Sequence, residues 1–215
     1  MSISQLWKHE NVFMRVLMLY GLFTLVSNST FLIGYYFLPE GFMRGSPLVA
    51  AGHFAVTGTF WSELALTLMF NFSIVAYCVL ANLFQKFSFP IGYVLPISLG
   101  ITTGLISGTN SFSSSDLKQY NAWDGAALGM SIGGLEMLAY ILVVASTAGF
   151  GVYLSNRWWQ WKPAKVKNLG DIRLSRSEIF CLAGGIILLL VAAYRETAMP
   201  HGLVAVAVRF IQNIA

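Results

Sequence analysis

The sequence predicts an all-α fold: a polytopic bundle of about five transmembrane helices, with the N-terminus inside and a short amphipathic C-terminal helix outside. Three observations carry this. Charged residues make up 10% of the chain and hydrophobic residues 56%, with a mean hydropathy of +0.67, whereas a soluble domain carries about 25% charged residues. Several uncharged runs reach the roughly 20 residues that a helix needs to cross a bilayer. Lysine and arginine gather in segments that alternate with those runs. All 215 residues fit a single transmembrane domain, because no hydrophilic segment is long enough for a soluble one.

The first span is read at about 16–38. Lys8 and Arg15 precede 24 uncharged residues, Val16 to Pro39, longer than a signal-peptide core and with no A-x-A site after it, so the span is expected to be retained. The second, about 64–84, lies between Glu63 and Lys86. The third is read at about 87–107, after a tight turn at Lys86. The fourth is read at about 125–154. The fifth, about 177–198, carries Glu178 at one end and Arg195 with Glu196 at the other, where both ends meet the interfaces. Residues 202–215 are too short to cross. Leu203, Val206, Phe210 and Ile214 recur there at helical spacing, as in an interfacial or partner-facing helix.

Six of the thirteen basic residues fall in one loop: Arg157, Lys162, Lys165, Lys167, Arg173 and Arg176. In a membrane protein such a cluster is a topology signal that holds its loop in the cytoplasm, and it also attracts anionic lipid headgroups. Placing it inside puts Lys8, Arg15 and Lys86 inside as well, with the loops at 39–61 and 108–124 outside. Trp158, Trp159 and Trp161 then mark the inner interface, and Trp61 and Trp123 the outer one. The net charge of +4 is therefore no nucleic-acid signature, and the partner it implies is the lipid bilayer.

Two features stand out within the spans. Gly100, Gly104 and Gly108 form one double G-x-x-x-G ladder, and Gly125, Gly129 and Gly133 form another. Such ladders let backbones approach closely, and sequential spans three and four are expected to meet through them. Glu136 is the one charge between Gly125 and Asn156. A carboxylate deep in an apolar helix costs about 2.5–3.5 kcal/mol on insertion scales, so it must face other helices or water and find partners. Asn28, Asn71 and the backbone carbonyl freed by Pro96 fall near its depth. The polar cluster of Glu136, Asn28 and Asn71 is thus either a hydrogen-bond knot that fixes helix register or an ion or proton site.

Catalytic and cofactor patterns are missing: no H-E-x-x-H, G-x-S-x-G or P-loop occurs. His9, His53 and His201 are scattered outside the spans, so neither metal nor haem is expected. Ser107 and Ser131 have no intramembrane histidine or lysine to activate them. Cys78 and Cys181 lie in apolar runs as packing residues.

The order of features resembles the stage II sporulation protein M family over roughly residues 60–200. The carrying stretches are Glu63-Leu-Ala-Leu-Thr-Leu-Met-Phe-Asn71-Phe-Ser-Ile, then Ile132-Gly-Gly-Leu-Glu136-Met-Leu-Ala-Tyr-Ile with Ala145-Ser-Thr-Ala-Gly-Phe-Gly151, and Leu190-Val-Ala-Ala-Tyr-Arg-Glu196-Thr-Ala-Met-Pro200. The family's middle motif has the form His-Gly-x-Leu-Glu. Its glutamate is Glu136 here and its histidine has no counterpart. The resemblance implies a non-enzymatic, multi-span protein of the bacterial inner membrane. It works as a scaffold or subunit in a cell-envelope protein complex, like the namesake, which joins partners that remodel peptidoglycan. Other membrane subunits are the expected partners, and a homo-oligomer is open. The alternative is a transporter or permease subunit with its polar site around Glu136.

Overall fold

The computed structural model describes residues 10–46, 49, 59–111, 122–157, 159–160 and 162–198, with the side chains of the fourth helix described from Gly133 onward. Its framework is five helices: α1 (Val12–Phe37), α2 (Phe60–Ala81), α3 (Val94–Gly108), α4 (Ala122–Thr147) and α5 (Arg176–Ala198). With the 3₁₀ turns that adjoin α3 and α4 (Ile91–Tyr93 and Ala148–Phe150), all five are long and apolar enough to cross a membrane, which by length and composition marks the chain as a membrane protein. The C-terminal helix expected at 202–215, the three histidines, Trp158 and Trp161 lie outside the described residues, as does the side chain of Trp123.

Each helix boundary has a local cause. Asn11 caps α1 by accepting the Phe13 amide at 2.9 Å. The helix stops at Leu38, whose extended backbone (φ −112°, ψ 151°) suits the residue before Pro39. Thr59 caps α2. Helix α3 ends in a Schellman motif: Ser111 N–H donates to the Ile106 carbonyl at 2.9 Å and Asn110 N–H to that of Ser107 at 3.3 Å. Asn110 sits at φ 48°, a left-handed position that asparagine tolerates better than most. Helix α5 opens with a reciprocal capping box: Ser175 Oγ accepts the Glu178 amide at 3.3 Å, and the Glu178 carboxylate accepts the Ser175 amide at 2.8 Å.

Two expected spans are shorter than the sequence suggests. Residues 84–90 do not begin the third span. They form a hairpin of β1 (Phe84–Lys86) and β2 (Phe89–Pro90) around Phe87 and Ser88, both at positive φ, as a two-residue turn of the I′ kind requires. A 3₁₀ turn, Ile91–Tyr93, then leads into α3. Pro96 thereby falls in the first turn of α3, where a missing N–H costs least, and not at mid-membrane. The fourth span also ends early: the chain leaves the helix at Thr147, makes a 3₁₀ turn at Ala148–Phe150 and enters β3 (Tyr153–Ser155). With β4 (Ala164–Lys165) these strands make a small sheet in the order β2-β1-β3-β4, with β1 and β3 parallel. The fold is therefore helical with a sheet at one end, not purely all-α.

That sheet gathers the basic segments. Lys86 lies opposite Ser155 and Lys165 opposite Tyr153. Arg157, Lys162, Arg173 and Arg176 are exposed in the neighbouring chain. Arg15, expected just before the first span, lies inside α1 instead, 5% exposed and ion-paired with Glu178.

Helix α4 touches all four other helices, and its strongest partner is α5. Ala139, Ile141, Val143, Val144 and Ala145 are fully buried. Large apolar side chains of α1, α2 and α5 point outward instead: Leu17, Leu25, Met69, Tyr77, Phe180 and Ile187 are all more than half exposed, as expected where lipid is the solvent.

The most extensive helix pairing is α1 on α3. The first glycine ladder makes it possible, but its partner is span one and not span four. A side chain at Gly100 would press on Phe23, one at Gly104 would collide with Thr30 Oγ1 and the Ser27 carbonyl, and one at Gly108 with the Phe31 carbonyl. Gly34 of α1 answers across the contact, where an added Cβ would lie 3.4 Å from the Gly108 backbone. The second ladder makes no such contact where it is described: Gly133 has nothing near its Cβ direction, and the surroundings of Gly125 and Gly129 lie outside the described residues. Gly104→Ala is expected to destabilise the bundle by about 1–3 kcal/mol through overpacking. Gly184→Ala, which points into open space, should leave stability unchanged; reversible denaturation in mixed micelles compares the two.

Candidate functional site: a polar cluster within the spans

The height of the cluster is set at the sheet end. Asn82, which follows α2, is fully buried and fully satisfied. Its Nδ2 donates to the Val144 carbonyl at 2.9 Å and to Thr147 Oγ1 at 2.8 Å, and its Oδ1 accepts the Gly92 amide at 3.1 Å. The end of α2, the end of α4 and the approach to α3 meet on one carboxamide. Helices α2 and α4 run in the same direction from this point. Asn71 lies eleven residues back from Asn82, and Glu136 eleven back from Thr147, so at 1.5 Å per residue both rise by about 16 Å. Equal counts along parallel helices bring the two side chains to one level.

There Asn71 Nδ2 donates to Glu136 Oε1 at 2.5 Å, and Tyr140 O–H donates to Asn71 Oδ1 at 2.8 Å. Asn71 is buried at 6% exposure and Tyr140 at 2%. Tyr140 follows Glu136 by four residues, so it lies on the same face of α4. A second acid comes from α5: the Glu196 carboxyl lies close enough to that of Glu136 to interact with it. The cluster is thus a hydrogen-bonded chain from Tyr140 through Asn71 to Glu136, with Glu196 beside the acid. Glu196 is also exposed on the bundle surface, so the cluster runs from a closed interior to the outside of the protein.

Of the residues singled out from sequence, Glu136 and Asn71 meet and Asn28 does not join them. Asn28 is exposed on α1, and its Nδ2 turns back to the Thr24 carbonyl at 2.8 Å. It borders a separate small cavity of about 30 Å³, lined by Ser27, Thr103 and Ser107 but also by Phe23, Phe31 and Met137, and so more apolar than polar. Tyr140 and Glu196 were not anticipated. Tyr140 had a readable signal in its i+4 spacing from Glu136. Glu196 had a weaker one, as a second acid in a span, but a position near a helix end reads equally well as interfacial.

Among the described residues no group of three or more histidine, cysteine, aspartate or glutamate side chains is placed to hold a metal. Cys78 and Cys181 are free and buried. No family model, curated protein or solved structure matches the chain.

Truncating the central member tests the network. Asn71→Ala strands both the Glu136 carboxyl and the Tyr140 hydroxyl and should cost about 1–3 kcal/mol. Tyr140→Phe removes one bond and should cost about 1 kcal/mol. A double-mutant cycle by denaturation in micelles should show the two losses to be non-additive.

Proposed function

We propose that this chain is a non-enzymatic integral membrane subunit of a larger assembly, in the manner of the stage II sporulation protein M family it resembles. In this reading it lies in a bacterial inner membrane with its basic end toward the cytoplasm, and the Asn71–Glu136 cluster is the knot that keeps its helices in register. The observation that carries the reading is the outer face of α1. Asn28 and Ser29 are exposed near the middle of a 26-residue apolar helix, and the Nδ2 of Asn28 bonds only to the carbonyl of Thr24 in its own helix. In hydrocarbon a polar side chain so placed favours contact with another helix, by about 0.6–2 kcal/mol. A partner subunit or a second copy of the chain supplies that helix.

A second reading has its own support. Two neighbouring carboxyl groups within the spans, one half-buried and the other exposed, are the kind of intramembrane arrangement that proton relays use. It favours a transporter or permease subunit in which Glu136 and Glu196 carry protons.

Two substitutions separate the readings. Asn28→Leu should weaken association roughly fivefold, equivalent to about 1 kcal/mol, measured as stoichiometric recovery of the partner or second copy in mild detergent. Recovery unchanged by Asn28→Leu, or a chain that emerges alone, contradicts the subunit reading. Glu136→Gln should keep assembly intact, since the amide still hydrogen-bonds. If the same variant abolishes proton flux into proteoliposomes that the unaltered chain supports, the relay reading stands.

A further inference from the structure

A cavity of about 440 Å³ opens at the sheet end, lined by Arg15, Gln85, Gly149, Gly151, Val166 and Lys167 among others. It is remote from the Glu136 cluster, and its chemistry is cationic. Arg15 is 5% exposed; one Nη is engaged by Glu178, but its Nε is buried without a hydrogen-bond partner. A buried, charged N–H left unmade costs more than a neutral one, at least about 1–3 kcal/mol. Lys167 brings a second positive charge to the same cavity, half-buried in the loop after β4. Two cations face one carboxylate, so the cavity keeps a net positive charge. The Gln85 carboxamide lies so close against Gly151 that a side chain there would run into it, and it donates to the Ala148 carbonyl at 3.2 Å.

We infer that this cavity is a binding site for a phosphate group, with Arg15 and Lys167 as its two cationic contacts. Arginine suits phosphate because its N–H groups form charge-assisted bonds to the oxyanion. The volume falls in the range of small-ligand sites, well beyond a lone water. Two sources offer this chemistry: the headgroup of an anionic phospholipid, or a free phosphate from solution. The surroundings favour lipid. Val166 at the rim and Trp159 nearby in the chain are 57% and 71% exposed, apolar groups suited to an interface, and basic pockets at the ends of membrane helices hold anionic headgroups.

The test is native mass spectrometry of the full chain in neutral detergent, titrated with phosphatidylglycerol, with phosphatidylcholine and with inorganic phosphate. The unaltered chain should retain phosphatidylglycerol over phosphatidylcholine. Lys167→Glu should weaken that retention about tenfold, the worth of one charge-assisted bond. The paired change Arg15→Gln with Glu178→Gln removes the buried cation without orphaning its carboxylate and should do the same. Lys165→Glu, two residues from Lys167 but outside the cavity lining, should weaken it less than about threefold. Displacement of lipid by millimolar inorganic phosphate supports the site with a soluble source; resistance to displacement supports it with a lipid source. Equal losses in Lys165→Glu and Lys167→Glu, equal retention of both lipids, or no binding of any of the three overturns it.

Discussion

The structure depends first on Asn82. One carboxamide joins the end of α2, the last turn of α4 and the 3₁₀ entry to α3. Each of its bonds replaces one that the bilayer cannot offer, and a fully satisfied buried amide specifies geometry more sharply than apolar contact does. Everything above it inherits that register. Because α2 and α4 rise in parallel from this point, their polar residues coincide only if the zero of height is shared. A slip by one residue would turn Asn71 about 100° away from Glu136. The hairpin beside it completes the arrangement: it reverses the chain in a few residues and gives β3 an edge to join, so the exit of α4 is held as firmly as its last turn.

Within this frame the bundle departs from the usual division of surface and core. Leucine, phenylalanine and isoleucine crowd the outside of α1, α2 and α5, while the interior mixes large apolar side chains such as Leu19, Phe23, Ile141 and Leu189 with small residues and a few polar groups. The α1–α3 seam shows why: lipid offers no hydrophobic gain for bringing apolar helices together, so close backbone approach and interhelical bonds must supply it. Gly100, Gly104 and Gly108 provide the approach, with Gly34 answering from α1. Helix α4, enclosed by the other four, is where an acid is least exposed to lipid and best supplied with partners, and it is there that Glu136 resides.

Much of this was legible in the sequence, and the rest was hidden for identifiable reasons. Span existence follows from hydropathy and length, and the grouping of basic segments at one end follows from their alternation with the spans. The hairpin was hidden because Phe84–Pro90 is apolar enough to extend a span, while its turn residues, Phe87 and Ser88, are not those that usually mark one. The glycine ladder announced a close contact but not its partner, since a smooth helix face fits any neighbour. Depth alone could not tell Asn28 from Asn71: both lie near mid-span, and only the direction each faces separates a surface amide from a buried one. Glu196 belongs to the same class, since its pairing spans sixty residues of chain and leaves no local trace.

The ion pair between Arg15 and Glu178 links α1 to α5, the first and last of the described spans. Chains are made and inserted from the N-terminus, so for most of synthesis Arg15 has no counter-charge at its final depth. Until α5 arrives, its guanidinium is best served by the headgroup layer, which sets a temporal order: α1 reaches its final position only when the last helix is in place. Glu178 is tied to that moment as well, because the same carboxylate caps the start of α5. The formation of the fifth helix and the settling of the first are thus one event, and a chain truncated before Arg176 would lack the residue on which the seating of its opening helix depends.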